Sequence, residues 1–440
     1  SGCDDRPTRE PHGGTRMKMS WLNRRARAVF LRAGAHAAHG QLELVCPDRS
    51  FQIGKAGGTP SAMMMVHDDR VFGRILAGGE MGLSEAFVDG DWSSPDLVTL
   101  IRLALRNNSA MQRLNTTSSW ISRQAQRVAH AMRSNTVEGS RKNIAAHYDL
   151  GNDFFSLFLD RELMYSSAWY DAPTDTLEQA QVRKLDRICR KLQLNRDDHV
   201  LEIGTGWGGF AAYAATHYGC RVTTTTISAE QHAYAAARFA QLGAVGDRIT
   251  LLNDDYRHLT GRFDKIVSIE MFEAVGLAHY DTFFETCDRL LSPSGAALLQ
   301  LITMNEQDFP VYRKTTDWMQ TYVFPGSELA SLSEILTSLG RVTTFRPFHL
   351  DDMGTHYART LHEWRARFLN NLDAVRQMGM DDRFIRTWDL YLAFCEAAFA
   401  ERHISDVQLM LTRGYHDQLY FTDAGAASSA ADAVTQGALA

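Results

Sequence analysis

The run Val200-Leu201-Glu202-Ile203-Gly204-Thr205-Gly206-Trp207-Gly208-Gly209-Phe210 constrains the fold more than any other segment. An apolar strand enters a glycine-rich turn, and a helix starts directly behind it. Glycines at 204 and 206 let the backbone approach a ligand with no side chain in the way. The helix amides behind the turn face the same ligand. Dinucleotide enzymes and methyltransferases share this turn, so the turn alone leaves both open.

The flanking sequence extends the pattern to regular α/β alternation. Helices are predicted over 177–192, 229–242 and 279–291, and strands over 199–203, 221–227, 249–252, 265–269 and 296–303. Such alternation predicts a Rossmann-like, doubly covered parallel sheet with its ligand at the carboxyl ends of the strands. Before it, residues 19–110 read as a smaller α+β domain. Leu42, Leu44, Phe51 and Ile53 alternate around Pro47-Asp48 as a hairpin, a strand follows at 62–66, and helices follow at 71–77 and 97–106. Residues 111–140, with a basic amphipathic stretch at 120–132, are expected to form a linker or lid. The catalytic domain is expected over 141–423. Residues 1–18 and 424–440 are expected to carry no structure, the first stretch as a disordered segment or an expression remnant.

The chain has 440 residues, 45% of them hydrophobic, and a formal net charge of -6. That balance fits a globular protein with no global attraction to nucleic acid or anionic lipid. Its six cysteines have no CxxC or metal-ligand spacing, so no metal is expected, and they suit a reducing, cytoplasmic compartment. No apolar run approaches the ~20 residues that cross a bilayer. Residues 20–32 place Leu22, Ala26, Val29 and Phe30 on one helical face and Arg24, Arg25, Arg27 and Arg32 on the rest. This helix suits either an anionic membrane surface or docking on its own domain, the latter if Trp21 is buried.

Glu202 narrows the choice of ligand. A carboxylate two residues before the first glycine suits the amino group of a methionine moiety and would repel a pyrophosphate. Strand two ends in Thr226-Ile227-Ser228-Ala229-Glu230-Gln231, without the acidic residue that a nicotinamide enzyme offers to the ribose. Asp254-Asp255-Tyr256-Arg257, after strand three, supplies a carboxylate and an aromatic ring for an adenine. S-adenosylmethionine is favoured over NAD.

With these residues in view, the sequence resembles the cyclopropane-fatty-acyl-phospholipid synthase family, which includes the mycolic acid cyclopropane synthases. The matching runs are Ala146-His147-Tyr148-Asp149-Leu150-Gly151-Asn152-Asp153-Phe154-Phe155, Met164-Tyr165-Ser166-Ser167-Ala168, Leu201 through Gly209 and Thr226 through Gln231. They continue with Asp255-Tyr256-Arg257, Ser268-Ile269-Glu270-Met271-Phe272-Glu273-Ala274-Val275-Gly276, Tyr322-Val323-Phe324-Pro325-Gly326, and His356-Tyr357-Ala358-Arg359-Thr360-Leu361 with Trp364. The resemblance implies that Tyr165 and Ser166 close over the cofactor and that Gly204, Gly206, Trp207 and the adjoining Gly208 line its methionine and ribose parts. Thr226 and Gln231 are implied on the ribose side, and Asp255, Tyr256 and Arg257 beside the adenine. Glu273 is implied in the reaction chamber with Tyr322 as its partner. In the family's well-known branch, a cysteine, that glutamate, a histidine, an isoleucine backbone and that tyrosine hold a bicarbonate that acts as general base. Here Ser167 stands at the cysteine position, Gln300 at the histidine position and Ile302 at the isoleucine. Glutamine hydrogen-bonds an anion but carries no proton as histidine does, which weakens the case for bicarbonate.

The implied activity is methyl transfer from S-adenosylmethionine to the double bond of an unsaturated acyl chain within a membrane phospholipid. Proton loss from the new methyl group of the resulting cation closes a cyclopropane, and loss from an adjacent carbon leaves a methyl-branched alkene. Glu273 is expected to stabilise the cation and take up the proton, staying ionised beside a sulfonium. His147, His279 and His356 are expected to be structural. The enzyme is expected to sit peripherally on the inner face of the membrane, with a homodimer left open and no nucleic-acid partner. A non-catalytic lipid-binding protein is the rival of another class.

Overall fold

The computed structural model describes residues 20–108 and 150–414. The expected unstructured ends, the linker at 111–140 with its basic stretch, and residues 146–149 including His147 lie outside the described residues.

The N-terminal unit is a four-stranded mixed sheet in the order β2-β1-β3-β4. β1 (Gln41–Val45) and β2 (Ser50–Gly54) form the expected hairpin, with Leu42 opposite Ile53 and Leu44 opposite Phe51. β3 (Ser61–Val66) runs parallel to β1, and the two-residue β4 (Trp92–Ser93) closes the sheet antiparallel to β3. Helices Trp21–Gly34, Arg70–Gly78 and Leu97–Arg106 match expectation. The further helix Glu80–Val88 was not foreseen: only Gly79, at φ 59, separates it from the helix before it.

Trp21 is exposed, yet the helix Trp21–Gly34 is docked all the same, through Ala26, Phe30 and the buried Arg27. Arg27 makes a two-pronged hydrogen bond to Asp48, at 2.6 and 2.9 Å. A guanidinium removed from water needs such a partner. Arg27 therefore belongs to the inner face of the helix, not to a basic outer one.

The second unit is a seven-stranded sheet in the order β10-β11-β9-β8-β5-β6-β7. β5 (His199–Ile203), β6 (Arg221–Thr225), β7 (Ile249–Leu252), β8 (Phe263–Ile269) and β9 (Leu291–Met304) are parallel as expected. β11 (Ile404–Arg413) was not expected and runs antiparallel to both β9 and β10 (Phe345–Asp352). The sheet is therefore mixed. β11 escapes a hydropathy reading because Asp406, Gln408 and Thr412, all buried, interrupt its apolar residues.

Helix Leu177–Lys191 begins with a capping box between Thr176 and Gln179. Leu185, Ile188 and Cys189 pack into the core as their spacing predicts, but Gln181, Lys184 and Lys191 are buried too. The two units meet where Arg102 and Arg106 of the first donate to Glu401 of the second, at 2.7 and 2.6 Å.

Candidate active site

The glycine turn leaves β5 at the carboxyl edge of the sheet. Gly204, Gly206 and Gly208 all have positive φ, at 103°, 53° and 84°. A Cβ on Gly208 would strike the Phe239 ring at 2.7 Å, so that glycine serves packing. A Cβ on Gly206 would meet nothing within 4 Å. Gly206 therefore borders the open space into which a ligand fits, while Gly208 lies behind it.

The other expected cofactor residues surround the same space. Trp207 is fixed by its indole N–H to Asn152 at 2.6 Å and by packing on Phe155. Tyr165 lies between Phe155 and Trp364, and its hydroxyl meets that of Tyr391 at 2.8 Å. Thr226 donates to Gln231 at 3.0 Å. Asp255 holds Arg257 in a fork, both side-chain bonds at 2.7 Å, beside the ring of Tyr256. All of these residues line one cavity of about 990 Å³, together with Glu202 and Ser166.

Glu202 is buried and accepts from the Thr224 hydroxyl at 2.6 Å. Burial pushes its carboxyl up to about 8. Lys184, fully buried, donates to the Ser166 hydroxyl at 2.6 Å, and burial pulls its ammonium down to about 8. Around this ammonium stand the carboxyl groups of Glu270, Asp160, Asp406 and Glu202. One ammonium thus stands among four acidic groups, and a cationic ligand would favour their ionised forms.

The reaction chamber departs from expectation in its central group. Glu270, at φ 47, follows the last residue of β8 and turns its carboxylate onto three donors. These are the Ser167 backbone N–H at 2.7 Å, the Gln300 amide at 2.9 Å and the Tyr357 hydroxyl at 2.7 Å. Glu273, three residues on, accepts the Ile302 N–H at 2.6 Å through Oε1, and its Oε2 is buried without a partner among the described residues. Burial first, then the charge of Glu270, pushes Glu273 up to about 8, so it is not held ionised by its protein surroundings.

Tyr322 is not in the chamber. It ends the helix Trp318–Tyr322, is 51% exposed, and donates to Glu85 of the N-terminal unit at 2.8 Å. The tyrosine that reaches the chamber is Tyr357, one residue after His356. The Ser167 hydroxyl also turns away, onto the Ala168 carbonyl at 3.1 Å. The expected donors are therefore engaged within the chain, Gln300 by Glu270, the Ile302 N–H by Glu273, the Ser167 hydroxyl by Ala168 and Tyr322 by Glu85, and a separate bicarbonate does not fit. His356 accepts the Tyr170 N–H at 3.1 Å and stacks on Trp169, a structural role. Among the described residues no cluster suits a metal ion.

Sequence reasoning missed Glu270, Tyr357, Lys184 and Asp406 as members of the site. Glu270 carried a signal, a charged residue directly after a strand whose carboxyl end faces the ligand.

A cradle open at Gly206 and short of positive charge suits a nucleoside that carries a cationic methyl donor. Together with the seven-stranded sheet, it defines the class of S-adenosylmethionine-dependent methyltransferases. Within that class, residues 136–409 match the family described as mycolic acid cyclopropane synthetase, and the chain belongs to it. Tuberculostearic acid methyltransferase UfaA1 of Mycobacterium tuberculosis is 34% identical over 387 residues, 86% of this chain and 89% of that protein. Cyclopropane-fatty-acyl-phospholipid synthase of Escherichia coli is 37% identical over 365 residues, 82% of this chain and 91% of that one. Among solved structures, the mycolic acid cyclopropane synthase CmaA1 complexed with SAH and CTAB is 29% identical, with a TM-score of 0.58, covering 62% of this chain and 98% of that one. The protein is therefore an enzyme, with S-adenosylmethionine as methyl donor.

Proposed function

We propose that the enzyme methylates a carbon of the double bond in an unsaturated acyl chain of a membrane phospholipid, and that Glu270 takes up the proton lost from the resulting cation. The observation that carries this reading is the Glu270 carboxylate, pinned by three donors where the cofactor cradle meets an apolar cavity. S-adenosylmethionine, when bound, supplies a methyl group on a sulfonium, an electrophile strong enough for an isolated alkene.

The chain's own residues do the rest. Glu202, Trp207, Tyr165 and Ser166 border the donor's methionine end, and Thr226, Gln231, Asp255, Tyr256 and Arg257 its nucleoside end. Ser167, Gln300 and Tyr357 hold the Glu270 oxygens in place, and the Ile302 N–H holds Glu273. Apolar walls keep out the water that would otherwise capture the cation. The cavity extends to Phe30, Leu42, Met64 and Leu103 of the N-terminal unit, which supports a path for the acyl tail. This is a division of labour between a lipid-handling unit and a methyl-transferring one.

The hydrogen nearest the base decides the product. A methyl-branched or methylated unsaturated chain is the second reading beside a cyclopropane. It is favoured by a base fixed on the strand end in place of a bound ion.

Access to a bilayer is supported by the first turn of the helix Trp21–Gly34, where Trp21 and Leu22 are 57% and 67% exposed beside exposed Arg24 and Arg25. Among the described residues no helix is long and apolar enough to cross a membrane. We place the enzyme peripherally on the inner, cytoplasmic face.

Mass spectrometry with gas chromatography of lipids from a heterologous host tests the reading. Acyl chains one carbon heavier are expected, and the fragmentation separates ring from branch. No such gain in mass, with folded protein present, rules the activity out.

A further inference from the structure

Asp406 lies one layer behind the chamber. It projects from β11, fully buried, opposite Ile302 in register, while Gln408 stands opposite Gln300. Directly opposed residues of antiparallel strands share a face, so these four side chains point the same way. The Gln300 amide nitrogen donates to Glu270 at 2.9 Å and to Asp406 Oδ2 at 3.0 Å.

The direction of that amide is set from a distance. Gln300 Oε1 accepts from the Gln408 amide at 3.1 Å, and Gln408 Oε1 accepts from Lys191 Nζ at 2.8 Å. Lys191 is buried and ion-paired with Asp351 at 2.5 Å. An ammonium only donates, so both glutamines have a single workable orientation, and Gln300 must turn its N–H₂ toward the two acids.

One amide group thus joins two buried carboxyl groups. Two negative charges so placed repel each other in a poorly solvated region. Asp406 Oδ1 is buried with no donor among the described residues, which is costly for a carboxylate oxygen and natural for a carboxylic acid hydroxyl. The Asp406 and Glu270 side chains are within hydrogen-bonding reach of each other.

We propose that Asp406 is a neutral carboxylic acid that donates its Oδ1 hydrogen to Glu270, a positioning residue that keeps Glu270 the ionised, aimed member of an acid pair sharing one proton. Burial first, then the charges of Glu270 and Glu273, holds the Asp406 carboxyl well above the usual range, while Lys184 acts in the opposite sense. Tyr357, the other titratable group facing the pair, is itself pushed up by burial and stays a neutral donor. During turnover the substrate cation's C–H bond breaks, its electron pair forms the ring or the new double bond, and the proton goes to Glu270. Asp406 keeps its own proton throughout.

The inference rests on Glu270 as proton acceptor, but its first test does not need the product. Infrared spectra of the protein carrying isotope-labelled aspartate should show a protonated-acid carbonyl band at about pH 8, where ordinary aspartates are ionised. Asp406→Asn should abolish the band. Absence of the band in the wild-type protein overturns the proposal, whether or not the variant folds.

The second test is the pH profile of kcat. Asn resembles a neutral acid in offering both a donor and an acceptor without charge, so Asp406→Asn should leave the acid limb of the profile where it is. Asp406→Leu removes the donor and should lower kcat about tenfold or more, with its acid limb moved to higher pH and its affinity for S-adenosylmethionine unchanged. An acid limb of Asp406→Asn displaced downward by about one pH unit or more would show that a charge had been removed, and the neutral acid would be wrong.

Discussion

Tyr357 donates its hydroxyl hydrogen to Glu270 across 2.7 Å, from the helix Gly354–Asn370 to the turn after β8. Removing one donor from a buried carboxylate costs about 1–3 kcal/mol. Tyr357→Phe should therefore lower kcat about 10- to 100-fold, with the dissociation constant for S-adenosylmethionine unchanged by calorimetry. Tyr322→Phe is the control, since Tyr322 bonds Glu85 at the surface. Its turnover should stay within about twofold of wild type. The reverse ranking would put Tyr322 in the chamber after all.

Gly206 offers a test of the cradle that leaves the chamber alone. It combines φ 53 with open space where a Cβ would stand. Gly206→Val should abolish calorimetric binding of the donor, because the branched side chain occupies the ligand's space and strains a left-handed backbone. Its circular dichroism should stay native. Retained binding would move the ligand away from the turn.

How far these residues could be read in advance depended on whether their signal was local. The β5 turn was legible because a strand, glycines and a helix start follow one another in the chain. The choice between Glu270 and Glu273 was not, since both sit in one short motif and only the backbone at φ 47 turns the first onto Ser167, Gln300 and Tyr357. The two tyrosines were confused for a similar reason: which of them reaches the chamber depends on tertiary packing of their helices. β11 was illegible because Asp406 and Gln408, the residues that mark its inner face, are polar, and a hydropathy pattern treats buried polar groups as solvent-facing. Lys184 and Lys191 are illegible for the same reason on the helix Leu177–Lys191, where both are buried although a lysine carries no hydropathy signal for burial.

Glu202 predicts a pH dependence of cofactor binding. Its carboxyl is raised to about 8, with burial the main cause. A cation bound beside it favours the ionised form, so below about pH 8 binding must release a proton from this residue. Affinity for S-adenosylmethionine should rise from about pH 6 to about pH 8 and level off above. Glu202→Gln should bind more weakly and lose that part of the slope. Titration calorimetry in buffers of differing ionisation heat reads the released proton directly, and identical slopes for the two proteins would remove Glu202 from the donor's surroundings.

The first turn of the N-terminal helix allows membrane contact to be separated from folding. Charge reversal at Arg27 cannot do this, because Arg27 is buried on Asp48, and an acidic residue there would face that carboxylate at a cost of about 3–5 kcal/mol. Trp21 and Leu22 are exposed, and so are Arg24 and Arg25, so these four can be changed without disturbing the Ala26 and Phe30 contacts. Each surface arginine contributes about 1 kcal/mol on anionic lipid. Arg24→Glu with Arg25→Glu should therefore weaken sedimentation with anionic vesicles about tenfold or more. Trp21→Ala with Leu22→Ala should weaken binding to neutral vesicles as well, since it removes apolar contact and not charge. Both variants should keep the wild-type melting temperature and full turnover on detergent-dispersed substrate. Unchanged vesicle binding in both would make this turn a solvent-facing helix end, and the route into the cavity would have to lie elsewhere.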